Sequence, residues 1–68
     1  MKVYIVEAYS SEPHSTISWV DSVWSSLSSA QKRINSARNE NDRPVELFTG
    51  DGMGYSLSEY ITTRELRD

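Results

Sequence analysis

The 68-residue sequence contains no cysteine, one histidine, two prolines and three glycines. Without cysteine, the chain can form neither a disulfide nor a thiolate zinc site. No apolar run approaches the roughly 20 residues that cross a bilayer, and the N-terminal segment lacks the apolar stretch of a signal peptide. We therefore expect a cytoplasmic protein with no membrane segment, no cofactor and no metal centre.

Catalytic residues are equally scarce. The single histidine, His14, follows Pro13 in a polar stretch that predicts a loop, and there is no cysteine for it to activate. The carboxylates are scattered along the chain, and so short a chain has little room for a ligand pocket. We expect no enzymatic activity. The net charge of −3 and the pI near 5.0 also argue against general attraction to nucleic acid.

What the sequence does contain is one small domain, residues 1–68, with a β-β-α-β-β order. Runs of β-branched and aromatic residues predict the strands, and apolar residues spaced by three and four predict the helix. The predicted strands span residues 2–9, 16–24, 45–49 and 55–63, and the predicted helical stripe is Leu27, Ala30, Ile34 and Ala37.

Two serines are candidates to cap this helix. Ser26 or Ser28 can accept a hydrogen bond from a free backbone N–H at the helix start, and Ser28 with Gln31 has the spacing of a capping box. The helix should end near Asn39, because the next residues are polar and Pro44 disfavours a helical conformation at the preceding residue, Arg43.

The order of elements predicts an α+β fold. A right-handed helical crossover from the second strand should bring the third strand beside the first. We therefore expect an antiparallel sheet of order 2-1-3-4, with the helix packed on one face and the other face open.

The three glycines lie together in the segment TGDGMGY, at positions 50, 52 and 54. A phosphate-binding loop places its glycines between a strand and a helix. The residues that follow this segment have the alternation of a strand, so the segment predicts a five-residue hairpin loop in which glycine supplies positive φ angles.

The positions of two tryptophans bear on whether the open face of the sheet is a protein interface. Trp19 and Trp24 are five positions apart in one predicted strand, so regular alternation places them on opposite faces. One would then join an exposed aromatic patch, with Tyr4 as a further candidate, and mark a protein interface. The alternatives are a β-bulge between Val20 and Val23 that turns both tryptophans inward, or packing of the chain ends at the sheet edge that hides one of them.

Charged residues suggest two further surfaces. Lys32, Arg33 and Arg38 lie on the predicted outer side of the helix, as an ordinary solvated face or as a site for an acidic partner. Glu7, Asp21, Glu46 and Glu59 lie in predicted strands and could form an acidic strip that mimics the phosphates of DNA. The candidate partner-binding residues are therefore Trp19, Trp24, Tyr4, Glu7, Asp21, Lys32, Arg33 and Arg38.

Three segments carry a resemblance: MKVYIVEAY at the start, VWSSLSSAQKRI into the helix, and YSLSEYITTREL at the end. Together they resemble a broad group of short phage and bacterial proteins with similar small β-β-α-β arrangements. That group includes phage-encoded inhibitors such as anti-CRISPR proteins and an inhibitor of host RNA polymerase. The resemblance implies a protein that occupies a surface of a host complex, and it transfers no functional residue.

Three functions follow from these observations. The first is a non-enzymatic phage-type inhibitor that binds and blocks a host protein or ribonucleoprotein complex, with defence machinery as the first target class. The second is a small structural module that forms a homodimer through its open sheet face. The third is a nucleic-acid-binding domain, against which the acidic composition argues.

Overall fold

Four strands and one helix make up the fold in residues 1–10 and 17–67, the part of the chain that this computed structural model describes. The loop predicted around His14 and the strand start predicted at Thr16 lie outside the described residues. The elements are β1 (Lys2–Ser10), β2 (Ser18–Trp24), α1 (Leu27–Ser36), β3 (Leu47–Phe48) and β4 (Gly54–Glu65). This is the predicted α+β arrangement.

The four strands form one antiparallel sheet of order β2-β1-β4-β3. The predicted order 2-1-3-4 is wrong, because β4 and not β3 lies beside β1. β4 has 12 residues and pairs with β1 from Tyr55, opposite Ser10, to Glu65, opposite Lys2. A strand of this length provides hydrogen-bond partners for the backbone groups along the whole edge of β1 that faces it. A two-residue strand cannot do so.

β3 is short because the residues before it are held by the end of the helix. The backbone N–H of Val45 donates to the carbonyl of Ala37 at 2.9 Å, and the backbones of Arg38 and Pro44 pair in an isolated antiparallel β-bridge. Only Leu47 and Phe48 of the predicted strand 45–49 then remain to pair with β4. β3 therefore takes the outer position, as the first arm of a hairpin.

α1 begins as one of the two capping alternatives predicts. Ser26 is the N-cap, and its side chain accepts a hydrogen bond from the N–H of Ser29 at 3.2 Å. Gln31 donates instead to Asn35 at 3.1 Å, so it does not complete a capping box with Ser28. The helix ends at Ser36, three residues before the predicted limit.

The side chain of Asn39 explains this early end. Its Oδ1 accepts hydrogen bonds from the backbone N–H groups of Asn41 and Arg43, at 2.9 and 3.0 Å. Such local bonds offer the backbone an alternative to the helix. The chain turns there through Asp42, which has a positive φ of 58°.

The core lies between α1 and the face of the sheet that α1 covers. Three of the four predicted stripe residues are buried there, and Leu27, in the first helical turn, is 53% exposed. The sheet contributes small or medium side chains, of which Val6 is the largest that is fully buried. The core residues are Val6, Ala8, Ala30, Ile34, Ala37 and Leu57.

A bulge in β2 places both tryptophans on the helix-covered face. Trp19 pairs with Ala8 and Trp24 pairs with Tyr4, while the register shifts between them and leaves Asp21 without a partner on β1. The prediction from regular alternation, with one tryptophan on each face, is therefore wrong. The alternative with a bulge between residues 20 and 23 is confirmed, because one extra residue restores the same orientation after five positions.

The glycine segment is a hairpin turn, as predicted. The N–H of Thr49 donates to the carbonyl of Met53, and the N–H of Gly52 donates to the carbonyl of Thr49, both at 2.9 Å. Gly52 has a φ of 86°, in the region that favours glycine. Among the described glycines, Gly52 is the one with a positive φ, so the prediction of several positive angles holds at one position.

Alanine at position 52 is expected to destabilise the protein by about 1–2 kcal/mol, since a side chain in this conformation crowds the following carbonyl. Gly50→Ala is the matched control. An added methyl group at position 50 meets no atom within 4 Å, so we expect this change to be neutral or slightly stabilising. Urea unfolding of both variants measures the difference, and equal effects would contradict the assigned turn.

Candidate functional site

The described residues form no pocket and no group of three or more His, Asp or Glu side chains placed to hold a metal ion. No helix in residues 1–10 and 17–67 combines the length and the apolar character needed to span a membrane. The surface features of the sheet and helix are therefore the candidates for function.

Exposed aliphatic side chains lie on the sheet face turned away from α1. Tyr4 and Val6 pack on the core side, so Ile5 between them points to the opposite face. Val23 pairs with Ile5, and Val20 pairs with Glu7, which places both valines on that same open face. Val20 and Val23 are 56% and 55% exposed, and Ile5 is half-buried. We call Ile5, Val20 and Val23 the aliphatic patch.

Polar groups border the aliphatic patch on the side of β4. Glu7 accepts a hydrogen bond from the hydroxyl of Thr62 at 3.3 Å, which confirms that both side chains lie on the open face. Arg64 pairs with Val3, two positions farther along β4, and is exposed on the same face. An apolar centre with a charged border is the usual anatomy of a protein interface.

A polar network joins the bulge of β2 to the helix. Arg33 donates from Nε to Asp21 Oδ2 at 2.8 Å and from Nη2 to Asp21 Oδ1 at 2.9 Å. The hydroxyl of Ser22 donates to Asp21 Oδ2 at 2.9 Å and accepts from Trp24 Nε1 at 2.7 Å. The extra residue of the bulge therefore supplies the carboxylate that fixes the helix to the edge of the sheet.

This geometry shifts the pKa values of the two groups in opposite directions. The hydrogen bond from Arg33 lowers the pKa of the Asp21 carboxyl, although partial burial acts in the opposite sense. The same bond raises the pKa of the Arg33 guanidinium. The Asp21 side chain is 10% exposed and that of Arg33 is 30% exposed. Both groups stay ionised at neutral pH and are occupied with each other.

The other helix cations differ in their surroundings. Arg38 pairs with Asp42 at 3.0 Å, whereas Lys32 is exposed. Two of the three cations predicted on the outer side of the helix are therefore held in ion pairs, which reduces the positive charge that the helix offers to an acidic partner or to nucleic acid.

The predicted aromatic candidates do not form the open face. Trp19, Trp24 and Tyr4 are half-buried and pack against the core, on the side of α1. The ring of Trp19 lies 5.7 Å from that of Tyr55, with the planes tilted by 56°. These three side chains therefore border the small core and are not part of the aliphatic patch.

The predicted acidic strip is also divided. Glu7 lies on the open face, while the carboxylate of Asp21 is bonded to the helix. Glu46 precedes β3, and Glu59 is exposed in the irregular part of β4. Carboxylates distributed in this way do not form one strip with the phosphate spacing of DNA.

The aliphatic patch is defined by the geometry of this chain alone. No family model, curated protein or solved structure matches the chain. Regular alternation places residues three positions apart on opposite faces, so the sequence pattern separates Val20 from Val23 and does not show the residue inserted at Asp21. The two adjacent polar residues Asp21 and Ser22, between Val20 and Val23, are the signal that could have located the bulge.

Proposed function

We propose that this protein is a non-enzymatic binding domain that attaches to a partner protein through the aliphatic patch. The main observation in support is that Val20 and Val23 are more than half exposed beside Ile5. Exposed aliphatic groups gathered on one sheet face are typical of surfaces that become buried against another protein. The matching partner surface is apolar and presents no charge to the two valines.

The target class comes from the sequence resemblance. Short phage proteins of this kind act by occupying a surface of a host complex, so we propose a cytoplasmic host protein or ribonucleoprotein complex as the partner. A defence complex, of the kind that anti-CRISPR proteins block, is the first target to test. Blocking by occupancy requires affinity and shape and does not require a catalytic group, which agrees with the chemistry of the surface.

Val23→Glu tests this proposal, because it places a charge at the centre of the aliphatic patch. Ser28→Glu is the control: it adds the same charge at an exposed position in the first turn of α1, where a carboxylate is tolerated. A host protein retained by the wild type is purified and titrated with all three proteins. We expect at least about tenfold weaker binding for Val23→Glu, since central interface residues contribute most.

The control should bind within about twofold of the wild type, and both variants should keep the wild-type circular dichroism spectrum. Equal affinity of Val23→Glu and the wild type would overturn the proposed interface. Failure of the wild type to retain any host protein would overturn the proposed function.

A further inference from the structure

The outer edge of β4 is open over most of its length. One edge of β4 pairs with β1, and the other pairs with β3 at Gly54 and Tyr55 alone. Within the described ranges, no strand pairs with the outer edge from residue 56 to residue 65. Alternate residues of an edge strand direct their backbone N–H and C=O groups outward, where a further strand can bind them.

The last five residues of β4 are the regular part of this edge. The register with β1 is uninterrupted from Ile61, opposite Val6, to Glu65, opposite Lys2. The irregularity between Leu57 and Ile61 ends before this segment, and the exposed residues 63–65 show that nothing in the described structure covers it. A regular, exposed edge is the form of strand that accepts another strand.

The side chains along this edge are arranged in a self-complementary way. Thr62 and Arg64 both lie on the open face, and Thr62 is bonded to Glu7 on the neighbouring strand. In an antiparallel pairing centred on Thr63, Arg64 of one copy lies directly opposite Thr62 of the other. Its guanidinium can then extend over Thr62 to the carboxylate of Glu7. Twofold symmetry forms this ion pair twice.

We infer that two copies of this chain pair antiparallel along residues 61–65 of β4 and form a continuous eight-stranded sheet. Even in this register β3 causes no obstruction, because it pairs with β4 at Gly54 and Tyr55, six or more residues before the paired segment. A second copy is the occupant because each chain supplies both charges, the cation from Arg64 on the β4 edge and the carboxylate from Glu7 on the neighbouring strand β1. A small core without disulfides also gains stability from association.

Charge reversal tests the inference directly. Sedimentation velocity should show the wild type as a dimer of the 7.8 kDa chain that dissociates on dilution. Arg64→Glu and Glu7→Arg should each raise the dimer dissociation constant at least about tenfold, because each places like charges together. The double variant Arg64→Glu/Glu7→Arg should restore it to within about threefold.

Three variants distinguish the β4 edge from other surfaces. Lys32→Glu makes the same charge change as Arg64→Glu at an exposed helix position and should leave the dimer unchanged. Thr63→Lys brings two cations together at the symmetry axis and should also dissociate the dimer. Val23→Glu, on a strand at the opposite edge of the sheet, should leave it intact, so this result does not depend on the proposed function.

A wild type that remains monomeric up to about 1 mM would overturn the inference. A dimer that survives Arg64→Glu and Thr63→Lys, or that the double variant fails to restore, would show a different interface and would overturn it equally. Circular dichroism of every variant confirms that the fold is retained, and the paired charge reversal identifies the register even if one single variant is unstable.

Discussion

Ile34→Ala is expected to lower the free energy of unfolding by about 2–5 kcal/mol, the usual cost of truncating a buried isoleucine. Ile34 is 2% exposed and lies in the core with Val6 and Leu57. Three other members of that core are alanines, so few large side chains are available to close the space left behind. For a domain this small, the loss approaches a total stability of about 5 kcal/mol.

Leu27→Ala is the matched control, since Leu27 belongs to the same predicted stripe but is 53% exposed. We expect it to cost less than about 1 kcal/mol. Urea unfolding followed by circular dichroism measures both variants. A loss below about 0.5 kcal/mol for Ile34→Ala would show that the helix packs in a different register.

Asp21→Asn is the second change with a large expected effect, about 1–3 kcal/mol at neutral pH. It leaves the partly buried Arg33 without its carboxylate and weakens the hydrogen bond from the Ser22 hydroxyl. A partly buried polar group that loses its partner lowers the free energy of unfolding by about this amount. Asp42→Asn is the control, because the pair of Asp42 with Arg38 has an exposed carboxylate. Exposed pairs contribute about 0–1 kcal/mol.

The pair of Asp21 and Arg33 makes the free energy of unfolding depend on pH. Hydrogen bonding to Arg33 lowers the pKa of Asp21 in the folded protein, so its contribution is present above the unfolded pKa of about 3.9. That contribution is lost as the pH falls below this value through the folded pKa. The wild type should therefore lose more stability between pH 7 and pH 3 than Asp21→Asn does. Equal losses in urea unfolding at the two pH values would contradict this assignment.

Local features of this fold could be predicted because nearby residues determine them. The helical stripe of Ala30, Ile34 and Ala37 follows from spacing, the cap at Ser26 from the side-chain chemistry, and the hairpin turn from the glycines around Asp51. Each depends on interactions within a few positions along the chain.

Strand order and the faces of β2 depend on distant residues and could not be predicted in the same way. β4 takes the place beside β1 because Val45 is bonded to the end of α1, which limits β3 to two residues. The bulge at Asp21 coincides with its bond to Arg33, 12 positions later. One inserted residue exchanges the faces of every residue beyond it, so the prediction of an exposed tryptophan was wrong and the aliphatic patch was missed.

We propose that the open sheet face, and not the helix, contacts the partner. Site-specific photo-crosslinking tests it most directly, with benzoyl-phenylalanine placed in turn at Val23 and at Lys32 and each protein illuminated in host cells. Position 23 should give a discrete crosslinked protein that disappears when Val20→Glu is added, and position 32 should give none. A crosslink from position 32 alone, or the same products from both positions, would contradict the claim.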